Sequence, residues 1–313
     1  MNLREPVGYA HPDYAASLAG FGMPRRLPAS GGFLLERPLP GADAGSASAG
    51  RDAMGCYPLL ACLDWDRLGE DLAALEGKLV SVAAVADPFG LDDPDRLRTH
   101  FPDRVIPFKD HFVADLERHD LAALSRHHRY YAKRALARAG IEVCAEPSQH
   151  LDEWTDLYAT LCARHDLRGI QAFSRGAFER QLRVPGIVML RARHEGTTVG
   201  AHLWYVQGEV AYSHLAAASP RGYDLMVFYA LYWAACEHFR GRVRFIDFGA
   251  GAGLAAAGEE DGLTRFKRGW ANATRTAYFC GRILDRARYA KILSDRGLED
   301  GGYFPAYRKG EFA

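Results

Sequence analysis

The chain has 313 residues, 48% of them hydrophobic and 25% charged, and 39 basic side chains balance 39 acidic ones, so the formal net charge is zero. This composition excludes a disordered chain and gives no overall charge that would attract nucleic acid, although it leaves a local basic surface open. The six cysteines are scattered without a CxxC pair, which argues against a zinc module or a disulfide framework. No apolar run approaches the length of a membrane span, and we expect a soluble cytoplasmic protein.

The first half of the chain alternates short helical and strand patterns. Residues 40–50, "PGADAGSASAG", are small and polar and predict a flexible loop. "WDRLGEDLAALEGK" (65–78) has helical spacing, and "LVSVAAVADPFG" (79–90) is typical of a strand. "RVIPFKDHFVADL" (104–116) predicts a strand pair or one long bent strand. "LSRHHRYYAKRALARAG" (124–140) predicts a helix closed by Gly140, and a short strand follows.

The second half of the chain predicts a longer series of helices and strands. It predicts an amphipathic helix over 151–169 and a short helix over 174–183 that Ser174 caps. Three apolar runs between 187 and 219 are broken by "HEGT" and "QGE", which indicates antiparallel strands joined by glycine-containing hairpins. A helix from Tyr223 onward and two further strands, "VRFIDFGAG" and "TRTAYFCG", complete the order.

The stretch "RFIDFGAGAG" (244–253) raises the alternative of a nucleotide or S-adenosylmethionine site, because Asp247 and alternating glycines follow an apolar run. In such domains several βα units come after the glycine turn, whereas here about sixty residues remain. The preceding strands read as hairpins, and the pattern shows no parallel crossover. A methyltransferase that uses this loop is therefore the weaker alternative.

The order of elements and several phrases resemble the GNAT acyltransferase superfamily, and more closely its FemAB-like branch. These phrases are "SRHHRYYAKRALARAGIEV" (125–143), "VGAHLWYVQGEVAYSHLAAAS" (199–219), "FIDFGAG" (245–251) and "LTRFKRGWANATRTAYF" (263–279). The resemblance implies an α+β fold, with a mixed, mainly antiparallel sheet flanked by helices, in two tandem copies of which the first is degenerate. The implied division is an N-terminal extension with a flexible loop (1–50), a degenerate GNAT-like half (51–140) and an acyltransferase domain (141–313).

Proteins of this kind move an acyl or aminoacyl group directly from an activated donor onto an amine, with no permanently bound cofactor. The resemblance thus implies a small-molecule amine acceptor and either aminoacyl-tRNA or acyl-CoA as the co-substrate. Acyl-CoA users carry a longer glycine-rich turn before the helix than "SPRGYD" (219–224), so aminoacyl-tRNA leads narrowly. The candidate donor-binding residues are Arg221, Gly222, Tyr223, Arg268 and Trp270.

Three residues are candidates for catalysis. The resemblance gives Lys267, in an "FKxGW"-type strand, the role of supporting charge in the transition state; the alternative is a solvated lysine. Asp247 ends a strand in apolar surroundings and is suited either to accept a proton or to cap the next loop. His214 lies in the strand that opens to admit the donor in GNAT proteins, and it is a candidate base or a packing residue.

Two basic segments are candidates for binding phosphate or carboxylate groups. The predicted helix over 124–140 offers Arg126, Arg129, Lys133 and Arg134 to tRNA, unless these side chains form an ordinary solvated face. Arg164, His165 and Arg168 are candidates for an anionic acceptor, or simply suit a helix C-terminus. No metal site is predicted, and a non-catalytic binding module remains a third hypothesis.

Overall fold

The computed structural model describes residues 5–41, 50–251 and 261–311. Its strands are β1 (Met23–Arg26), β2 (Phe33–Pro38), β3 (Arg51–Gly55), β4 (Ser81–Val85), β5 (Arg104–Asp115), β6 (Gly140–Cys144), β7 (Ile187–His194), β8 (Thr197–Gln207), β9 (Val210–Ala218), β10 (Phe245–Asp247) and β11 (Ala273–Ile283). Its helices are α1 (Pro12–Ser17), α2 (Leu68–Ala73), α3 (Pro94–His100), α4 (Arg126–Leu136), α5 (Leu151–His165), α6 (Arg175–Gln181), α7 (Pro220–Leu225), α8 (Val227–Phe239), α9 (Gly262–Arg268) and α10 (Arg286–Arg296). None of the described helices combines the length and the apolar character needed to cross a bilayer.

The chain divides into two compact units, one made of residues 1–108 with 276–313 and the other of residues 109–275. The division falls within strands β5 and β11, and not after residue 140 as the sequence suggested. The difference arises because the C-terminal strand β11 pairs with β4, a partner almost two hundred residues earlier in the chain. Pairing between such distant segments leaves no local signal in the sequence.

In the first unit, β1, β2 and β3 form antiparallel neighbours, β3 runs parallel to β4, and β4 is antiparallel to β11. Strands β1 and β2, which lie in the expected N-terminal extension, are thus part of the sheet. Within the predicted loop 40–50, residues 42–49 lie outside the described part of the chain. Leucine, alanine and aromatic side chains from residues 1–108 and 276–313 form the hydrophobic clusters of this unit.

In the second unit the strand order is β5-β10-β9-β8-β7-β6. The predicted meander of β7, β8 and β9 is confirmed, and Gly196 and Gly208 adopt positive φ at its two hairpins. All neighbours in this unit are antiparallel except β9 and β10, which are parallel. A crossover through α7 and α8 therefore joins β9 to β10, contrary to the expectation that no crossover was present. The predicted α+β class with a mixed, mainly antiparallel sheet is confirmed.

Several helix boundaries differ from those predicted. Helix α4 ends at Leu136, and Gly140 is the first residue of β6 instead of the residue after the helix. The helix expected from Tyr223 onward is two helices, α7 and α8, separated at Met226, where φ is 58°. Lys267, which was expected on a strand, lies on helix α9. The segment around Pro107 is one long strand, β5.

A large hydrophobic core in the second unit fixes helix α8 against the sheet. Trp204, Phe239, Phe248 and Trp270 are fully or almost fully buried in it, together with Tyr232 of α8. Phe248 stacks on Tyr232 with ring centroids 5.3 Å apart. Since Phe248 follows β10 directly, this packing fixes the start of the loop that leaves the strand.

Gly222 is required by the close approach of α7 to β8. A Cβ atom at this position would lie 2.0 Å from the Val199 carbonyl oxygen, a distance that needs backbone movement. We expect Gly222→Ala to destabilise the protein by about 1–3 kcal/mol, as overpacked core substitutions do. The loss of stability is measured as a lower midpoint of urea unfolding, which is followed by circular dichroism.

Gly176→Ala is the matched control, because a Cβ atom there meets only Ser174 Oγ, at 3.9 Å, and alanine is the better helix former. An unchanged unfolding midpoint for Gly222→Ala would show that α7 does not approach β8 as closely as described.

Candidate active site

The parallel strands β9 and β10 of the second unit separate after Asp247. They pair through Asp247 and Tyr212, after which β10 ends and β9 continues to Ala218. The register of β8 against β9 shifts at this point: Leu203 faces Leu215 and Trp204 faces Ser213, so His214 is an extra, bulged residue. Residues 213–216 are half-buried, in contrast to the buried residues on either side. The strands thus open a gap at the end of β10.

Lys267 reaches the loop that follows β10. Asp261 caps α9 by accepting hydrogen bonds from the backbone of Leu263 and Thr264, and this sets the helix that carries Lys267. Lys267 Nζ donates to the Ala250 carbonyl oxygen at 2.7 Å. Burial lowers the pKa of Lys267 to about 8, against the opposing effect of Asp247. An ammonium held in this way is a fixed positive charge that still exchanges its proton near neutral pH.

Asp247 is 2% exposed and has a hydrogen bond on each carboxylate oxygen. Gly249 N–H donates to Oδ1 at 2.7 Å, and His111 Nδ1 lies 2.8 Å from Oδ2. The sequence left open whether this residue caps the loop or takes part in chemistry. The structure shows the cap and adds a buried histidine partner from β5.

Lys109 lies on the same strand as His111, two residues earlier, and so shares its face of β5. Its Nζ donates to the Gly251 carbonyl oxygen at 3.4 Å. Burial lowers the pKa of Lys109, while Asp261 opposes the shift. Lys109, His111 and Lys267 therefore bring three basic side chains to residues 247–251.

His214 and His202 are packed among aromatic rings. The ring of His214 lies 4.8 Å from that of Tyr205, and burial lowers the pKa of His214 to about 3. His202 is fully buried, 2.8 Å from Ser213 Oγ through Nε2, and burial also places its pKa well below the usual value. Both imidazoles are therefore neutral at physiological pH. A catalytic role for His214 stays a prediction that this environment does not favour.

The predicted donor loop is used largely for packing and capping. Ser219 Oγ accepts a hydrogen bond from Gly222 N at 3.2 Å and so caps α7. Arg221 is exposed and donates to His194 Nε2 at 3.1 Å. The guanidinium of Arg164 lies 4.1 Å from the ring centroid of Tyr223. The structure thus places Arg164, which was predicted to bind the acceptor, against Tyr223, which was predicted to bind the donor.

The other predicted binding residues lie apart from this contact or inside the core. Trp270 is fully buried, 5.3 Å from the ring of His128, so it has a packing role in place of the expected contact with a donor. Arg268 is exposed, with its guanidinium 5.6 Å from the ring of Phe112. His165 and Arg168 are exposed at the end of α5, where Arg168 pairs with Asp166.

The predicted nucleic-acid face lies on helix α4. Arg126, Lys133 and Arg134 are exposed, and Tyr130 between them is 56% exposed. Arg129 instead donates to the Ala122 carbonyl oxygen. Spacings of three and four residues place Tyr130 beside Arg126, Lys133 and Arg134 on one face of the helix. This face combines positive charge with an accessible aromatic ring.

The sequence model of the Acetyltransferase (GNAT) domain family matches residues 123–268, which include α4, the gap between β9 and β10, and Lys267. This segment is a GNAT domain. The predicted resemblance is thereby confirmed, and the domain is of the acyltransferase type. A search of curated proteins gave no significant match.

Solved structures share the fold of the whole chain at low sequence identity. FemX is 14% identical with a TM-score of 0.63, over 93% of this chain and 98% of that one. The C-terminal domain (DUF2156) of an Agrobacterium fabrum protein assigned as a lysylphosphatidylglycerol synthetase is 18% identical with a TM-score of 0.61, over 91% and 90%. L-PGS from Bacillus licheniformis is 14% identical with a TM-score of 0.58, over 94% and 98%. At such identities the likeness shows the fold alone.

Sequence reasoning missed His111 and Lys109, which lie in the second unit ahead of the segment matched by the GNAT model. Alternation along "FKDHF" places the two side chains on one face of β5, and this signal was available. The sequence could not show that they lie close to Asp247. This proximity depends on the antiparallel pairing of β10 with β5, in which Asp247 faces Val113.

The neutral, desolvated imidazole of His214 predicts acid sensitivity of the GNAT domain. The pKa of His214 is lowered from 6.5 to about 3 by burial, so the unfolded chain takes up a proton before the folded one as the pH falls. Stability contributed by the neutral ring is present above pH 6.5 and is lost between 6.5 and about 3, by at most about 1.4 kcal/mol per pH unit. We expect His214→Gln to lose less stability than the wild type between pH 6.5 and 4.5 in urea unfolding.

His165→Gln, at an exposed histidine, is the control and should follow the wild-type pH dependence. Identical slopes for His214→Gln and the wild type would contradict a neutral, desolvated imidazole at this position.

Proposed function

We propose that this protein transfers an aminoacyl or acyl group from an activated donor directly onto an amine, forming an amide. The observation that carries the proposal is the ammonium of Lys267, which the Ala250 carbonyl holds at the gap between β9 and β10. The gap lies within the GNAT domain, where Asp247 ends β10, and His111 of the neighbouring strand β5 is hydrogen-bonded to Asp247.

Direct transfer requires few groups. The attacking amine has to lose a proton, the tetrahedral intermediate carries a negative oxygen, and the leaving oxygen or sulfur has to be stabilised. The Lys267 ammonium is suited to the second requirement, because a fixed charge in a partly dry site stabilises an oxyanion more strongly than water does. Holding donor and acceptor together in the gap supplies the remaining catalytic effect.

Aminoacyl-tRNA is the donor that we favour over acyl-CoA. The amide of Gly222, which would otherwise face a pyrophosphate, is engaged by Ser219 Oγ, and α7 is only six residues long. The exposed cations around Tyr130 on α4 are suited to phosphates and to stacking of an unpaired base. The name of the Agrobacterium fabrum protein also refers to a product that carries an aminoacyl group.

The polar groups of the glycine loop are used within the domain. Gly249 N–H binds Asp247, and the carbonyl oxygens of Ala250 and Gly251 accept from Lys267 and Lys109. Gly249 has a φ of 73°, a conformation for which glycine is suited. These contacts account for Gly249 without a bound nucleotide and favour acyl transfer over the methyltransferase alternative. Gly253 lies outside the described residues.

Lys267→Met should lower kcat by about 100- to 1000-fold, the usual effect of removing one group that stabilises an oxyanion. The assay incubates the full chain with a charged tRNA pool or acetyl-CoA and a panel of primary amines, and detects amides by mass spectrometry. Arg265→Met is the control, because Arg265 is exposed on the same helix. Equal rates for Lys267→Met and the wild type would exclude this role and favour a binding module.

The pH dependence gives an independent prediction. Because the pKa of Lys267 is about 8, its ammonium is present below this pH and is lost as the pH rises through it. The rate enhancement by Lys267, measured as the ratio of wild-type to Lys267→Met rates, should therefore fall between pH 7 and 9. A ratio that rises over this range would indicate that the neutral amine acts as a base.

The donor is identified by calorimetry with a charged tRNA pool and with acetyl-CoA at two salt concentrations. We expect tRNA to bind in a salt-sensitive manner, and more weakly to the triple variant Arg126→Gln/Lys133→Gln/Arg134→Gln. The triple variant Arg175→Gln/Arg180→Gln/Arg183→Gln, on or next to α6, removes the same number of charges and is the control. Binding of acetyl-CoA with no heat from tRNA would instead make this an acyl-CoA enzyme.

A further inference from the structure

We infer that His111 takes the proton from the attacking amine, and that Asp247 holds its imidazole in the orientation this requires. The inference rests on the proposed acyl transfer and names the base for it. Neither the sequence patterns nor the family resemblance singled out His111. It follows from the pairing of β5 with β10 and with the loop after it.

The hydrogen bonds define the tautomer of His111. Both oxygens of the buried Asp247 carboxylate accept, Oδ1 from Gly249 N–H and Oδ2 from His111 Nδ1. A carboxylate in this arrangement is an acceptor, so Nδ1 of the neutral imidazole carries the proton. The lone pair is then on Nε2, the nitrogen turned away from Asp247, and it is available to accept a proton.

Backbone pairing fixes His111 to the same loop that holds Lys267. Phe248 N donates to the Phe112 carbonyl oxygen at 2.9 Å, and Phe112 N donates to that of Gly249 at 3.1 Å. The next carbonyl along the loop, that of Ala250, accepts from Lys267. The candidate base and the candidate oxyanion stabiliser are thus both fixed to residues 247–250.

The step balances without any further reactant. The amine nitrogen attacks the acyl carbon and forms the C–N bond, while its proton passes to His111 Nε2. The intermediate then collapses, the C–O bond of a tRNA ester or the C–S bond of a thioester breaks, and the imidazolium returns the proton to the leaving oxygen or sulfur. Asp247 stabilises the imidazolium between these two events and does not itself take the proton.

Two other histidines of the second unit are less suited to this task. His202 and His214 are packed against aromatic rings, so a positive charge on either of them is costly. His111 differs because a carboxylate accepts from its ring. The charged groups around residues 247–251 are Lys109 on β5, Asp247 on β10, and Asp261 and Lys267 at α9.

Nuclear magnetic resonance of the full chain with ¹⁵N-labelled histidine tests the geometry without any substrate. His111→Gln assigns the ring signals. We expect the ring nitrogen Nδ1 to carry a proton that is hydrogen-bonded to Asp247. Asp247→Asn should move the proton to Nε2, because the amide NH₂ donates to Nδ1 while the amide oxygen keeps the bond from Gly249. A ring protonated at Nε2 in the wild type would overturn the inference.

The kinetic test uses the amide assay with the charged tRNA pool, acetyl-CoA and the primary amines. We expect His111→Gln and Asp247→Asn each to lower kcat by about 100- to 10,000-fold with little change in the donor KM. Added imidazole should restore part of the rate to His111→Gly. His238→Gln, at a half-buried histidine near the end of α8, should keep the wild-type rate.

These outcomes separate the inference from the proposed function. No amide from the wild type with any donor would count against the proposed function. An active wild type whose rate depends on Lys267 but not on His111 would overturn the inference and leave the proposed function in place. Urea unfolding of each variant distinguishes loss of a base from loss of the fold.

Discussion

The two hydrogen bonds accepted by the buried carboxylate of Asp247 are the contacts on which the candidate site depends. A carboxylate that is 2% exposed is tolerated only when its oxygens are satisfied, and Gly249 N–H and His111 do so. These bonds turn the chain sharply after β10 and direct the carbonyl oxygens of residues 250 and 251 to Lys267 and Lys109. The same two hydrogen bonds thus fix the shape of the loop and the position of the carbonyl oxygens that bind the two lysines.

The end of pairing between β9 and β10 gives this cluster its access to other molecules. Because the two strands are parallel and β10 is only three residues long, β9 continues past it with half-buried residues beside an open gap. The bulge at His214 also interrupts the regular pairing of β9 with β8 beside the end of β10. A substrate in this gap would lie next to Lys267 and to the loop that Asp247 holds.

Two glycines of the candidate ligand-binding loops, Gly249 and Gly222, have roles in backbone geometry. Gly249 provides a positive φ for the turn after β10, and Gly222 allows α7 to lie against the Val199 carbonyl. Both positions would be strained or overpacked by a larger residue. A glycine motif therefore indicates tight backbone packing as readily as a ligand, and its meaning depends on which atoms lie opposite it.

The sequence by itself determined the elements that local patterns encode. Alternating and helical spacing predicted the meander of β7 to β9 and helices α5 and α6, and the quoted phrases indicated the GNAT family and Lys267. Only the tertiary structure decided the parallel crossover to β10, the pairing of β11 with β4, and the approach of His111 to Asp247. The physical reason is the distance along the chain over which each feature is determined. The spacing of residues shows which face of a single element is apolar, whereas the pairing of strands far apart in the chain depends on the packing of the whole unit.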